Sequence, residues 1–186
     1  MLFGDKNVFA IETMLDEDQV DSGNVFGRLC LWCENVPLGR IEEENCGLEA
    51  FELLSDLIAV VDDLWLEEFD GLSDRELKNR LNSALYGCDE DDEVAVGFDE
   101  GSLEEMRGDL IKYRNFDFLT NWGEMFDRGG KSFVFHQPRG SIRIINVAHF
   151  RMTGHALVTP VAAFVSAIKD AVTWYRAAQA DLKLRS

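Results

Sequence analysis

Basic residues are scarce in this chain. Lysine and arginine number 18 against 35 aspartates and glutamates, which leaves a net charge of −17. That shortage argues against nucleic acid or an anionic membrane as a partner, because phosphates attract cationic side chains and repel a surface like this one. Long apolar runs are missing as well: none approaches the ~18–20 residues that a bilayer-spanning helix needs. The opening MLFGDKNVFAIETML carries an acid at position 5 and no basic segment ahead of an apolar stretch, so no secretory signal is expected. Cysteine is sparse, with Cys30, Cys33, Cys46 and Cys88 alone. Without an export signal these read as reduced thiols, and the expected compartment is the cytoplasm.

Catalytic signatures are absent too. The chain has no G-x-S-x-G, H-E-x-x-H, Walker loop or G-x-G-x-x-G. His136, His149 and His155, with Glu124 or Asp127, could be imagined as an acid–base site, but nothing around them belongs to a nucleophile family. Cys30-Leu-Trp-Cys33 has the C-x-x-C form, yet no second such pair exists to complete a zinc site. Its alternating surroundings put it inside a strand, where residues three apart point to opposite faces. No helix N-terminus is then available to lower a thiol pKa, so free structural cysteines are expected.

What is present is enough for one ordinary domain. A chain of 186 residues with 46% apolar and 28% charged residues can bury a core without staples and falls outside the disordered class. Alternation predicts strands over Asn7–Leu15 and Asn24–Glu34, then a turn at Asn35–Gly39 leading to a short third strand. Between Gly47 and Phe69 the apolar period becomes helical and two-sided, which predicts a helix packed between layers. Ser73 with Glu76 forms a capping-box pair ahead of a second helix that Gly87 would end. A helix is also expected around Ser102–Arg114. Phe133–Phe135 and Ile142–Val147 predict a hairpin turning through Gln137-Pro-Arg-Gly140. Thr159 and Pro160 read as the cap and first turn of a closing amphipathic helix. Trp122, Met125 and Phe126 are expected to pack while Glu124 and Asp127 stay wet. The sum is an α+β fold: a mainly antiparallel sheet, shared by the N-terminal strands and the hairpin, with helices packed on it.

The acids are unevenly placed. Residues 1–111 hold 30 acids and 7 bases; residues 112–186 hold 5 acids and 11 bases, so nets of −23 and +6 make up the whole. The C-terminal surplus can neutralise only part of the rest, and an acidic face is expected to persist. Its densest stretch, CDEDDEVAVGFDEGSLEE at 88–105, carries Asp89, Glu90, Asp91, Asp92, Glu93, Asp99, Glu100, Glu104 and Glu105 with no base. Glu42, Glu43 and Glu44 form a second group. Counted as an EF-hand from Asp89, the sixth position is Val94 where a glycine is required, so at most weak adventitious calcium binding is expected and no metal is assigned. A basic protein partner answers such a surface best, through fast and salt-sensitive association.

Four segments resemble one family. Phe3-Gly4-Asp5 running into Phe9-Ala10-Ile11, the Asn35–Gly39 turn, Trp122–Asp127 ahead of a hairpin returning through Arg143-Ile-Ile145, and Trp174-Tyr175 near the end of the last helix are similar to bacterial polymorphic-toxin immunity proteins of the family numbered forty-two. The acidic run at 88–105 has no counterpart in that pattern. The resemblance implies one immunity-type domain over residues 1–186 and no enzymatic activity. It also implies no cofactor and a stoichiometric inhibitor of the cognate toxin C-terminal domain in contact-dependent growth inhibition. Two alternatives stay open: an acidic DNA-mimicking antirestriction-type inhibitor, and a small hydrolase using the C-terminal histidines.

Overall fold

Two antiparallel sheets, rather than one, carry the fold. The computed structural model describes residues 1–21, 24–41, 46–87, 103–120, 122–123, 126 and 130–185. The first sheet begins with a hairpin of β1 (Leu2–Asp5) and β2 (Phe9–Asp21), paired from Leu2 with Glu12 to Asp5 with Phe9. Alternation marked β2 but not β1, which is short, lies at the sheet edge and buries little. Gly4 makes the hairpin possible. Its φ is +93°, and a Cβ there would collide with the Phe9 carbonyl oxygen. β3 (Asn24–Cys33) pairs along β2, with a register shift between Leu15 and Val20.

The next turn falls earlier than expected. Glu34 and Asn35 both have positive φ, 50° and 63°, as a two-residue type I′ hairpin turn demands, and β4 (Val36–Leu38) returns at once along β3. β5 (Cys46–Gly47) pairs the other half of β3, at Phe26 and Gly27.

The helix expected over 47–69 is broken. α1 runs only Ala50–Ala59, and two 3-10 turns follow, Val61–Asp63 and Glu67–Phe69. Within the broken stretch the chain takes a partner distant in sequence. The Leu64 carbonyl accepts a 2.8 Å hydrogen bond from the His136 backbone N–H, and Leu66 is extended. The apolar period survives the break because Val61, Leu64 and Phe69 are still buried.

α2 (Asp74–Tyr86) is as the sequence indicates. Ser73 and Glu76 form the reciprocal capping box, and Gly87 closes the helix at φ 68°. α3 (Leu103–Tyr113) follows, ending in a 3-10 turn at Arg114–Phe116.

The second sheet joins β6 (Ser132–Gln137), β7 (Ser141–Asn146) and β8 (Leu157–Pro160) in that order. The β6–β7 turn is the expected one, with Gly140 at φ 79° and its N–H bonded to the Gln137 carbonyl at 2.9 Å. Asn146 then caps a short α4 (Val147–Thr153) by accepting from the His149 N–H. Thr159 is not a helix cap. It sits in β8 opposite Ile142, with Pro160 opposite Ser141 at the end of an edge strand that needs no donor there.

α5 (Val161–Arg185) closes the chain and joins the layers. It buries Phe164, Ala167, Ile168, Ala171, Val172 and Tyr175. Phe164 meets Phe9 of β2 with ring centroids 4.6 Å apart, and Tyr175 stacks on Phe51 of α1 at 4.8 Å. A second aromatic group surrounds Phe69, whose ring lies 5.1 Å from Phe116 and 5.7 Å from Phe135. The class is α+β, with helices packed on antiparallel sheets.

Candidate partner-binding surface

Several residues of the segments carrying the family resemblance lie in the interior, while the Asn35–Gly39 turn is largely at the surface. Phe9, Ala10 and Ile11 are buried in β2. Trp174 meets Phe3 at 5.7 Å and Phe51 at 6.2 Å beside the stacked Tyr175. Trp122 packs edge-on against Phe118 at 5.5 Å, and Phe126 is buried. Glu124, Met125 and Asp127 lie outside the described residues. Arg143 of β7 donates to Asp74 at 2.7 Å, and the other Asp74 oxygen accepts from the Ala156 N–H, so one carboxylate at the start of α2 ties that helix to both ends of the β7–β8 connection. These residues are committed to folding.

Charge on the surface is only partly answered from within. Among the described residues, cations from the basic C-terminal part reach back to acids of the N-terminal part: Lys112 to Glu68 at 2.8 Å, Arg143 to Asp74, and Arg176 to Glu52 at 3.3 Å. Glu68 is the most engaged, since Tyr113 Oη donates to it at 2.5 Å and Arg80 at 3.2 Å. The Lys112 hydrogen bond, followed by that from Tyr113, holds its carboxyl below the usual glutamate value of 4.5. By contrast Glu49, Asp56, Asp63 and Glu67 are exposed, and none forms an ion pair among the described residues.

Of the acids singled out in the sequence, Asp89, Glu90, Asp91, Asp92, Glu93, Asp99 and Glu100 lie outside the described residues, as do Glu42, Glu43 and Glu44. Glu104 is exposed in the first turn of α3, and Glu105 follows it in the same helix. That helix also holds a feature the charge pattern concealed. Met106 and Leu110 are each 50% exposed and Ile111 is 68% exposed, while Tyr113 is the buried one among the described side chains of the helix. The i, i+4, i+7 spacing of Met106, Leu110 and Tyr113 was the signal available for finding it.

The other constellations do not gather into chemistry. His136 is on β6 with Nδ1 3.6 Å from Asp62, His149 is on α4, and His155 is exposed before β8. Cys30 and Cys33 are buried and form no disulfide; Cys30 Sγ faces the Gly39 carbonyl at 3.5 Å, whereas Cys33 joins the core. Burial pushes the Cys33 thiol up to about 12, the opposite of a reactive cysteine. Among the described residues no cluster of three His, Cys, Asp or Glu could hold a metal, and no helix is long and apolar enough to cross a membrane. An open cleft between α1 and α5, lined by Ile58, Val61, Val161 and Val165 with Asp62 and Lys169 at its rim, places no nucleophile and base together.

The chain is similar in structure to CdiI from Burkholderia dolosa, at 16% identity and a TM-score of 0.58, over 93% of this chain and 99% of that one. At that identity the likeness concerns the fold. No curated protein matches the chain. The model of the family described as Immunity protein 42 matches residues 1–173, from β1 into the second half of α5. The chain belongs to the Immunity protein 42 family.

Proposed function

We propose that this protein binds a cognate toxin domain and neutralises it, with its acidic surface facing a basic partner. The observation that carries the proposal is the family match over residues 1–173. The contact acids are Asp89, Glu90, Asp91, Asp92, Glu93, Asp99, Glu100, Glu104 and Glu105, with Glu42, Glu43 and Glu44 as a second group. A net charge of −17 selects a basic partner, and a nuclease suits it because such an enzyme must itself be basic to hold phosphates. The protein then acts in the cytoplasm of the cell that makes the toxin, either over the active site or beside it, and needs no cofactor.

The test is co-expression with the product of the gene directly upstream, followed by binding kinetics at two salt concentrations. Wild type should protect cells and co-purify with that product. Replacing Asp89, Asp91 and Asp92 together with Asn should slow association and flatten its salt dependence, since exposed charges act mainly on the encounter rate. Each single change should weaken binding by ~1 kcal/mol or less where the acid is exposed, and by ~2–5 kcal/mol where it meets a buried cation. Unchanged rate and salt slope in the triple variant would move the interface elsewhere on the acidic half.

A further inference from the structure

We propose that α3 is the element that holds the toxin, entering an apolar groove on that basic partner with Met106, Leu110 and Ile111. This deepens the immunity reading and rests on it.

Among the described residues, the side-chain anchors of the helix lie at its C-terminal end. Tyr113 is buried, stacking 6.2 Å from Phe69, and Tyr113 and Lys112 both donate to Glu68. From Glu104 to Lys112 every residue with a described side chain is exposed. Met106 and Leu110 lie about 40° apart on the face that leads to Tyr113, and Ile111 lies about 100° further round. The stripe of Tyr113, Leu110 and Met106 therefore starts in the core and runs outward half exposed, while Ile111 stands further round, about 140° from Met106. Three large apolar side chains at 50%, 50% and 68% exposure on one short helix are a concentrated apolar surface, unlike single exposed residues such as Met152 on α4. An 11-residue helix is marginal alone, so packing against a partner would also add to its stability.

Charge chooses among occupants of that stripe. The sequence feeding α3 carries seven acids and no base from Asp89 to Glu100, and Glu104 and Asp109 stand exposed on the helix itself. Lys112 is already bonded to Glu68, which leaves Arg107 as the base on α3 without an ion pair among the described residues. A second copy would bring this negative charge against its like, which penalises self-association. A basic protein with an apolar groove satisfies both the stripe and its acidic surround, in the mode of an amphipathic helix laid into a groove. The two parts then act on different rates: the acids raise association, and the apolar residues slow dissociation.

The experiment measures association and dissociation of the full chain with the purified product of the upstream gene. Leu110→Ala and Ile111→Ala should each raise the dissociation rate by about tenfold, with association and the circular dichroism spectrum unchanged. Met152→Ala, at an exposed apolar residue on α4, should change neither rate. Dissociation unaltered in both α3 variants would overturn the proposal while wild-type binding and protection left the immunity reading standing. No binding by wild type would overturn both. A concentration-dependent dimer of the chain alone, abolished by Ile111→Asp, would overturn it by assigning the stripe to a second copy.

Discussion

α5 and α3 are both amphipathic helices, and they end up in opposite circumstances. α5 buries Phe164, Ala167, Ile168, Ala171, Val172 and Tyr175 between β1–β2, α1 and the second sheet. α3 buries Tyr113 and leaves Met106, Leu110 and Ile111 bare. Stability should follow the first helix and recognition the second. Of the segments that resemble the family, Phe9 and Tyr175 are buried in the scaffold that α5 closes, and Trp174 packs beside them.

The comparison can be broken most decisively at Phe164. It is fully buried, with its ring 4.6 Å from Phe9 and 6.2 Å from Phe118. Phe164→Ala should lower stability by about 3–5 kcal/mol in chemical denaturation, through lost burial and the cavity left behind. A smaller effect is expected where α3 is tied down. The Glu68 carboxylate is favoured in the folded state by Lys112 and then Tyr113, so its folded pKa lies below its unfolded one. Its contribution is present above the unfolded value and is lost as pH falls through the folded value. Glu68→Gln should therefore flatten the loss of stability on acidification below pH 4.5 and lower neutral stability by less than ~1 kcal/mol, as exposed ion pairs do. Equal acid sensitivity in wild type and variant would show that this carboxylate does not anchor the helix. The smallest effect belongs to Leu110→Ala, which should alter stability by no more than ~0.5 kcal/mol, as substitutions away from packed positions do. A large loss there would place Leu110 in the core and erase the contrast with Phe164.

Local signals were legible in the sequence and distant ones were not. The capping box of Ser73 and Glu76, the Gly87 stop and the Pro138–Gly140 turn each depend on residues within a few positions of one another, and each is where the sequence indicates. The irregular stretch after α1 gives its Leu64 carbonyl to the His136 N–H, a contact no local pattern encodes. Thr159 and Pro160 look like a helix start, and only the pairing with Ile142 and Ser141 makes them strand. Alternation identifies strands without saying which sheet receives them, so two sheets read as one. At the candidate site, charge could be counted directly from the sequence. The α3 stripe could not be told from a core stripe, because Met106, Leu110 and Tyr113 follow the same spacing whether or not something covers them.

Hydrogen–deuterium exchange of the chain, alone and with the purified upstream gene product, tests the division between scaffold and contact most directly. Added protection should appear in residues 103–113 and in the acidic sequence before them, with residues 161–175 of α5 unchanged. Protection gained on α5 or on the β8 edge, with α3 exchanging as it does alone, would contradict the account.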